Sequence, residues 1–294
     1  MYCKMKFSII LFRPAHFFND ELLNCMCLSQ NLRLFSIPFG TMIKRAVTRK
    51  PCSHFAEGIT TAHLGEPDLE LALEQHRDYI HALKSCGLEV SELEADENFP
   101  DSCFVEDTVV IADEVAVITN PGAESRKGEI HSMIPVLEKF RKVGFIQSPG
   151  TLEGGDVMQV EKHFYIGLTA RTNEEGAHQL GAILASFGYS YSLIPVTTAL
   201  HLKSVVNFIG NNTLLASKEF SSHAAFNKFY VIEVADEELY AANCLQINGK
   251  LIVPKGFEGV KSQLLKLDYE IIALDMTEFE KMDGGLTCLS LRFL

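Results

Sequence analysis

Cys288, a thiol close to the carboxyl end, follows the pair Gly284-Gly285. Glycines let a backbone adopt conformations closed to other residues and approach a ligand closely. Leu289, Leu291 and Phe293 can anchor the next segment in a core, which sets the thiol at the end of a loop. The plain alternative is a packed core cysteine, because free Cys is among the most buried residue types. A nucleophilic thiol needs a base or proton shuttle. Of ten histidines, His201 is the best placed: in Leu-His-Leu-Lys it follows a strand-like run and precedes Val205-Val206. A histidine between leucines is equally at home in a core, and spacing alone does not pair it with the thiol.

Asp101, Glu106, Asp107, Glu153 and Asp156 stand in short Gly, Pro or apolar contexts rather than in charged runs. Such settings predict burial, and a buried carboxylate must meet Lys or Arg, a metal, or a cationic ligand. A metal ranks last of the three, because no His-x-x-x-His or comparable close ligand spacing is present. Arg126 in Glu-Ser-Arg-Lys-Gly and Arg171 in Thr-Ala-Arg-Thr-Asn lie in turn-like contexts. A guanidinium fork suits two-pronged capture of a carboxylate, although a surface ion pair is the default for any one arginine. Acids at one end and arginines at the other fit an amino acid with a cationic side chain.

The elements that must position these groups recur as a cassette, an amphipathic helix that stops at a Gly or turn residue and is followed by a β-rich run. Leu69, Leu73, His76, Ile80 and Leu83 alternate steps of four and three, Cys86-Gly87 ends the helix, and Leu88 to Leu93 reads as a strand. The pattern predicts further helices at Ile130–Lys142, Ala177–Phe187 and Val260–Leu267, with strands at Gly144-Phe-Ile, Tyr189–Val196 and Tyr269–Leu274. Strand pairs lie between the cassettes, at Val109 to Thr119 and at Cys244 to Pro254, where Asn248-Gly249 is a strong hairpin signal. Asp68 fits a helix N-cap. Strand pairs plus a helix, repeated at irregular intervals, predict units arranged about a centre rather than a doubly wound sheet. No G-x-G-x-x-G follows the first strand, and Gly154-Gly155 leads into Asp156, an anion that would repel a pyrophosphate.

The chain has 294 residues, 47% of them hydrophobic, which is enough to bury a substantial core and excludes disordered, collagen-like and disulfide-stapled classes. A formal charge of −12 argues against a phosphate-tracking nucleic-acid binder. No run of about 18 apolar residues is present to span a bilayer, so no membrane partner is expected. Eight cysteines without regular spacing and without a C-x-x-C pair point to a reducing, cytoplasmic compartment. Residues 1–41 are apolar and aromatic, without sustained periodicity, and match neither a secretory signal nor a mitochondrial presequence. They are expected to be an N-terminal extension outside the fold, with 42–294 a single catalytic domain.

From about Lys44 to Phe293 the chain resembles the dimethylarginine dimethylaminohydrolases, a family of guanidino-group-modifying enzymes. The likeness is carried by Pro100-Asp-Ser-Cys-Phe-Val-Glu-Asp, Pro121-Gly-Ala-Glu-Ser-Arg, Leu152-Glu-Gly-Gly-Asp, Ala170-Arg-Thr-Asn, Leu200-His-Leu-Lys and Asp283-Gly-Gly with Cys288-Leu-Ser-Leu-Arg-Phe, in the family's order. The resemblance implies a five-bladed α/β propeller of the pentein type, with the site in its central channel. Four blades correspond to the cassettes, and the fifth is not delimited by pattern. It implies Cys288 as nucleophile, His201 as general acid and base, and Glu153 and Asp107 gripping the guanidinium. It further implies that Asp101, Arg126 and Arg171 hold the amino-acid end and that Glu106 supports them. Ile59 would stand at the lid and Met282 at the substrate wall.

The implied reaction is hydrolysis of asymmetric dimethylarginine or monomethylarginine to citrulline and dimethylamine or methylamine, through a covalent thiouronium on Cys288, with no cofactor and no metal. Arginine deiminases share Glu-Gly-Gly-Asp and the terminal Gly-Gly-Cys region but typically carry an acid two residues after the histidine, where this chain has Lys203. The other readings are a non-catalytic propeller binding protein, which has little reason to keep Cys288, His201 and Glu153 together, and a thiol protease, which has no need for several acids. Relatives include monomers and dimers, and a homodimer is the expectation here.

Overall fold

The computed structural model describes residues 42–294, so expectations for residues 1–41 lie outside the described residues. The described residues open with β1 (Arg45–Arg49), then α1 (Leu69–Ser85) and β2 (Glu89–Leu93). Asp68 caps α1, accepting from the Glu70 and Leu71 amides at 2.9 and 3.1 Å, and Gly87 leaves it with φ of +89°. The second unit comprises β3 (Val109–Ile111), β4 (Val115–Ile118), α2 (Ile134–Leu137) and β5 (Lys142–Phe145). The third is β6 (Val157–Val160), β7 (His163–Leu168), α3 (Glu174–Ala185) and β8 (Ser190–Pro195). The fourth, β9 (Val206–Phe208), β10 (Thr213–Ser217) and β11 (Tyr230–Val234), has only a short 3-10 turn, Ala224–Phe226, before its third strand. The fifth is β12 (Leu245–Ile247), β13 (Lys250–Pro254), α4 (Glu258–Leu264) and β14 (Glu270–Leu274), and α5 (Thr277–Glu280) and β15 (Leu291–Phe293) complete the chain.

Each unit is a three-stranded sheet built alike: an antiparallel hairpin, then a parallel third strand. Thus β4 pairs with β3 antiparallel and with β5 parallel, and the pattern repeats at β7, β10 and β13. The remaining sheet draws on both ends of the chain: β1 pairs with β2 in parallel and with β15 antiparallel, Val47 opposite Leu291. Five apolar cores lie between successive sheets. One joins α1 to Leu245, Ile247 and Ile252 of the last hairpin, which closes the ring. At the turn of that hairpin Asn248 and Gly249 have φ of 50° and 86°. The Asn248 amide also bonds Ile43 and Cys86, tying this blade to the first. The architecture is the five-bladed α/β propeller.

Two details depart from the sequence pattern. Ile130–Lys142 is not one helix: a 3-10 turn (Glu129–Ser132) and the four-residue α2 precede a strand that already starts at Lys142. Pro135 sits in the first turn of α2, where its missing amide costs nothing but from which a helix cannot extend backward. The fourth blade lacks a helix altogether, which is why helical periodicity did not delimit it. No helix among the described residues is long and apolar enough to cross a membrane.

Candidate functional site

Glu106, Asp107, Glu153, His201 and Cys288 lie in the segments just before the first strand of the hairpins and before β15, whereas Ile59, Arg126 and Arg171 follow β1, β4 and β7. A 3-10 turn at Val105–Thr108 carries Glu106 and Asp107 into β3, and one at Gly154–Asp156 follows Glu153 into β6. A third at Leu202–Ser204 follows His201 into β9, and Cys288 stands three residues before β15. Gly155 fits this convergence because a Cβ there would lie 2.6 Å from His201 Nδ1 and 2.8 Å from Asp107 Oδ1.

The segments carrying Asp107, His201 and Cys288, with the Ile59 loop that the resemblance reads as a lid, border a small cavity of about 30 Å³ together with Asp101, Arg126 and Arg171, while the fully buried Glu153 is not among its walls. Ile59, 39% exposed, and Met282, 2% exposed, line it as well. Asp101 accepts from the Ile59 amide with both oxygens, at 3.1 and 3.2 Å, which ties the lid to the site. His201 Nε2 lies 2.7 Å from Glu153 Oε2 and 3.9 Å from Asp107 Oδ1. Burial works to lower the His201 pKa, but Asp107, Asp156 and Glu153 outweigh it and raise it to about 9. Glu153 and Asp107 are both held low, Asp107 at about 2: burial opposes ionisation, and His201 with Arg126 overcomes it. Burial, then the charges of Glu106 and Asp107, push the Cys288 thiol up to about 12. The surrounding charges thus favour a protonated imidazole, and burial favours an undissociated thiol.

The arginines separate in role. Arg126 is buried, and its donors go to protein acceptors: Nε and Nη2 to Glu129 at 2.9 and 2.8 Å, Nη1 to Asp107 Oδ2 at 2.6 Å, and Nη2 also to the Asp101 and Phe104 carbonyls. Its most evident task is to orient Asp107. Arg171 is less enclosed and has a single side-chain bond, Nη1 to Glu153 Oε1 at 3.3 Å, leaving a fork for a carboxylate. Glu106 does not border this cavity. It forms a buried knot beneath the thiol, 2.6 Å from Lys203 Nζ and 3.0 Å from Arg292 Nη2, and accepts from the Thr287 hydroxyl at 2.7 Å. Its amide donates to the Cys288 carbonyl, so it holds the backbone that carries the thiol.

Sequence reasoning missed Glu129, Thr287 and Asn243. Asn243 accepts from the Thr287 amide at 2.9 Å and donates to the Lys203 carbonyl and the Thr287 hydroxyl at 3.2 Å each. It occupies, before β12, the place that Asp107 occupies before β3, and aligning the segments before the hairpins would have found it. Asp156 accepts from the Leu202 amide and the Thr169 hydroxyl, fixing the turn behind His201. Asp107, Glu153 and His201 come close enough to surround a cation. Arg126 and Arg171 already pair with two of them and would compete with such a cation for the carboxylates.

A closed α/β propeller with a thiol, an imidazole and paired carboxylates around one cavity defines the pentein class. Within it, the sequence model described as N,N dimethylarginine dimethylhydrolase, eukaryotic, matches residues 61–291, and the chain belongs to the dimethylarginine dimethylaminohydrolase family. It is 45% identical over 254 residues to the N(G),N(G)-dimethylarginine dimethylaminohydrolase of Pseudomonas aeruginosa, covering 86% of this chain and 100% of that one. The enzyme of that name from Streptomyces coelicolor is 35% identical over 252 residues, 85% of this chain and 96% of the other. A Pseudomonas cysteine-to-serine variant complexed with citrulline superposes with a TM-score of 0.85 at 45% identity, over 86% of this chain and 100% of that chain. The N-terminal domain of a cyanobacterial arginine dihydrolase, at 18% identity and a TM-score of 0.77 over 85% of this chain and 97% of the other, shares the fold.

Proposed function

We propose that this chain hydrolyses asymmetric dimethylarginine and monomethylarginine to citrulline and the methylated amine. The observation that carries the reading is the single cavity on which a thiol, a charged imidazole and ionised carboxylates converge, with a guanidinium fork beside them. The substrate's α-carboxylate meets Arg171, its ammonium meets Asp101, and Ile59 and Met282 enclose the stem. Glu153 and Asp107 accept from the guanidinium nitrogens: Glu153 Oε2 and both Asp107 oxygens each keep a lone pair beyond their present bonds, whereas Glu153 Oε1 is filled by the Ala123 amide and Arg171.

The charge arrangement sets the order of events. The bound cation lowers the thiol pKa of Cys288, and the proton leaves to solvent. The thiolate attacks the guanidinium carbon, and the imidazolium of His201 protonates the methylated nitrogen. The C–N bond breaks and the amine departs, leaving a thiouronium on Cys288. Neutral His201 then takes a proton from water, hydroxide adds to the same carbon, the C–S bond breaks, and citrulline is released. Asp107, Asp156 and Glu153 assist by keeping His201 protonated until the amine needs its proton.

Preference for methylated substrates over arginine is supported by Lys203 standing two residues after His201, where deiminases typically carry an acid; its ammonium is turned to Glu106 at 2.6 Å, outside the cavity walls. A cytoplasmic location, a homodimeric state and a catalytic unit confined to residues 42–294 belong to the same proposal. The test is citrulline colorimetry with asymmetric dimethylarginine, monomethylarginine and arginine supplied separately; faster turnover of arginine would transfer the protein to the deiminases. Cys288→Ser should lower turnover roughly 10⁴-fold or more while citrulline binding by calorimetry persists, and normal turnover by this variant would remove the nucleophile assignment.

A further inference from the structure

A second cavity, of about 360 Å³, also reaches Cys288. It shares Leu200, Asp283 and Cys288 with the first, so the sulfur forms part of both walls. Its other walls combine apolar side chains, Leu64, Ala199 and Leu239, with Tyr240 and the carboxylate of Glu280. The Tyr240 hydroxyl donates to the Gly284 carbonyl at 2.8 Å, fixing its ring. Asp283 is tied to the Thr61 amide at 2.6 Å, whereas Glu280 is half-buried with no ion pair or hydrogen bond among the described residues to offset its desolvation. A partly desolvated, unpaired carboxylate beside an aromatic ring suits a small alkylated ammonium ion.

The proposed chemistry releases a methylated amine, which becomes such an ion on protonation, while the first cavity is still occupied. When the C–N bond breaks, the amino-acid portion stays attached to Cys288 and fills the small cavity beneath Ile59. The amine must leave, and water must enter, before the thiouronium can be hydrolysed. Resting on the reading above, we propose that the cavity walled by Leu239, Tyr240 and Glu280 is the exit and binding site for the departing methylated amine, and the entrance for the hydrolytic water. The amine leaves His201 neutral, takes a proton from water, and is held there as dimethylammonium or methylammonium.

Two variants test this, each compared with the unaltered enzyme on asymmetric dimethylarginine. Dimethylammonium chloride, against potassium chloride at matched ionic strength, should inhibit the unaltered enzyme. Glu280→Gln, at a half-buried position, should raise that inhibition constant about fivefold, as expected for the loss of one partly screened charge pair. Ala62→Trp, on the lid side of the cavity, should lower kcat about tenfold with KM little changed, because release of the amine is obstructed while the substrate pocket is intact. Equal dimethylammonium inhibition and equal kcat in both folded variants would overturn the exit site and leave the hydrolase reading standing. Absence of citrulline formation by the unaltered enzyme would instead remove the reading on which the exit site rests.

Discussion

Cys288 and His201 are tuned in a sense opposite to a preformed thiolate–imidazolium pair. With the thiol at about 12 and the imidazole at about 9, the free enzyme holds one proton on each across the neutral range. Iodoacetamide should therefore alkylate Cys288 slowly, at a rate that climbs with pH and shows no plateau below about 12. A plateau near neutrality would mean that the thiolate exists before the cation arrives. Catalysis should fall as pH rises through about 9, because His201 loses the proton it must donate. At the substrate's other end, Arg171→Ala should raise KM roughly 10- to 100-fold with a smaller effect on kcat, the loss of a charge-assisted pair of about 1.5–3 kcal/mol. An unchanged KM would make Arg171 purely structural. Residue context marked the groups one by one, Glu153 beside glycine, His201 between leucines, Cys288 three residues after Gly285 and Asp107 in a short segment between apolar pairs, while their convergence was implied only by the family resemblance. Glu129 was not marked, since an acid three residues after Arg126 on a short turn resembles any surface pair until its burial is known. Lys203 was read as the absence of an acid, and its partner Glu106 nearly a hundred positions away was invisible to spacing.

At the level of elements, sequence patterns succeed where a helix is long enough to display its period and fail where it is not. The boundaries of α1 match the alternating apolar steps and the Asp68 cap, whereas α2 is too short to have a period and was overextended. Blade four offered no helix to count. The 3-10 turns that present the chemistry are defined instead by close packing. Gly155→Ala would push a methyl against His201 and Asp107 at 2.6 and 2.8 Å. It should therefore cut turnover by at least about 100-fold, with stability lowered by roughly 1–3 kcal/mol. Circular dichroism and citrulline formation measured on the same sample separate the two effects, and near-normal turnover would mean that the turn relaxes without moving His201.

For the molecule as a whole, the fold class followed from strand pairs and helices repeated at uneven intervals, but closure did not. That depends on β15 meeting β1 and on a core shared by the first and last blades, contacts between residues about as far apart in the chain as the fold allows. On the sequence expectation that residues 1–41 lie outside the folded unit, their removal should leave turnover unchanged and the unfolding midpoint within about 2 °C. A large drop in either would place that segment within the working unit.

The meeting of β1 and β15 has a consequence for when the enzyme becomes chemically competent. Until Leu291 seats against Val47 and the Glu106 amide engages the Cys288 carbonyl, the sulfur and the acids that must surround a cation belong to separate arcs of an open circle. A partly assembled chain can carry every reactive group and still be mute toward methylated arginine. The same latch that seals the propeller arms it.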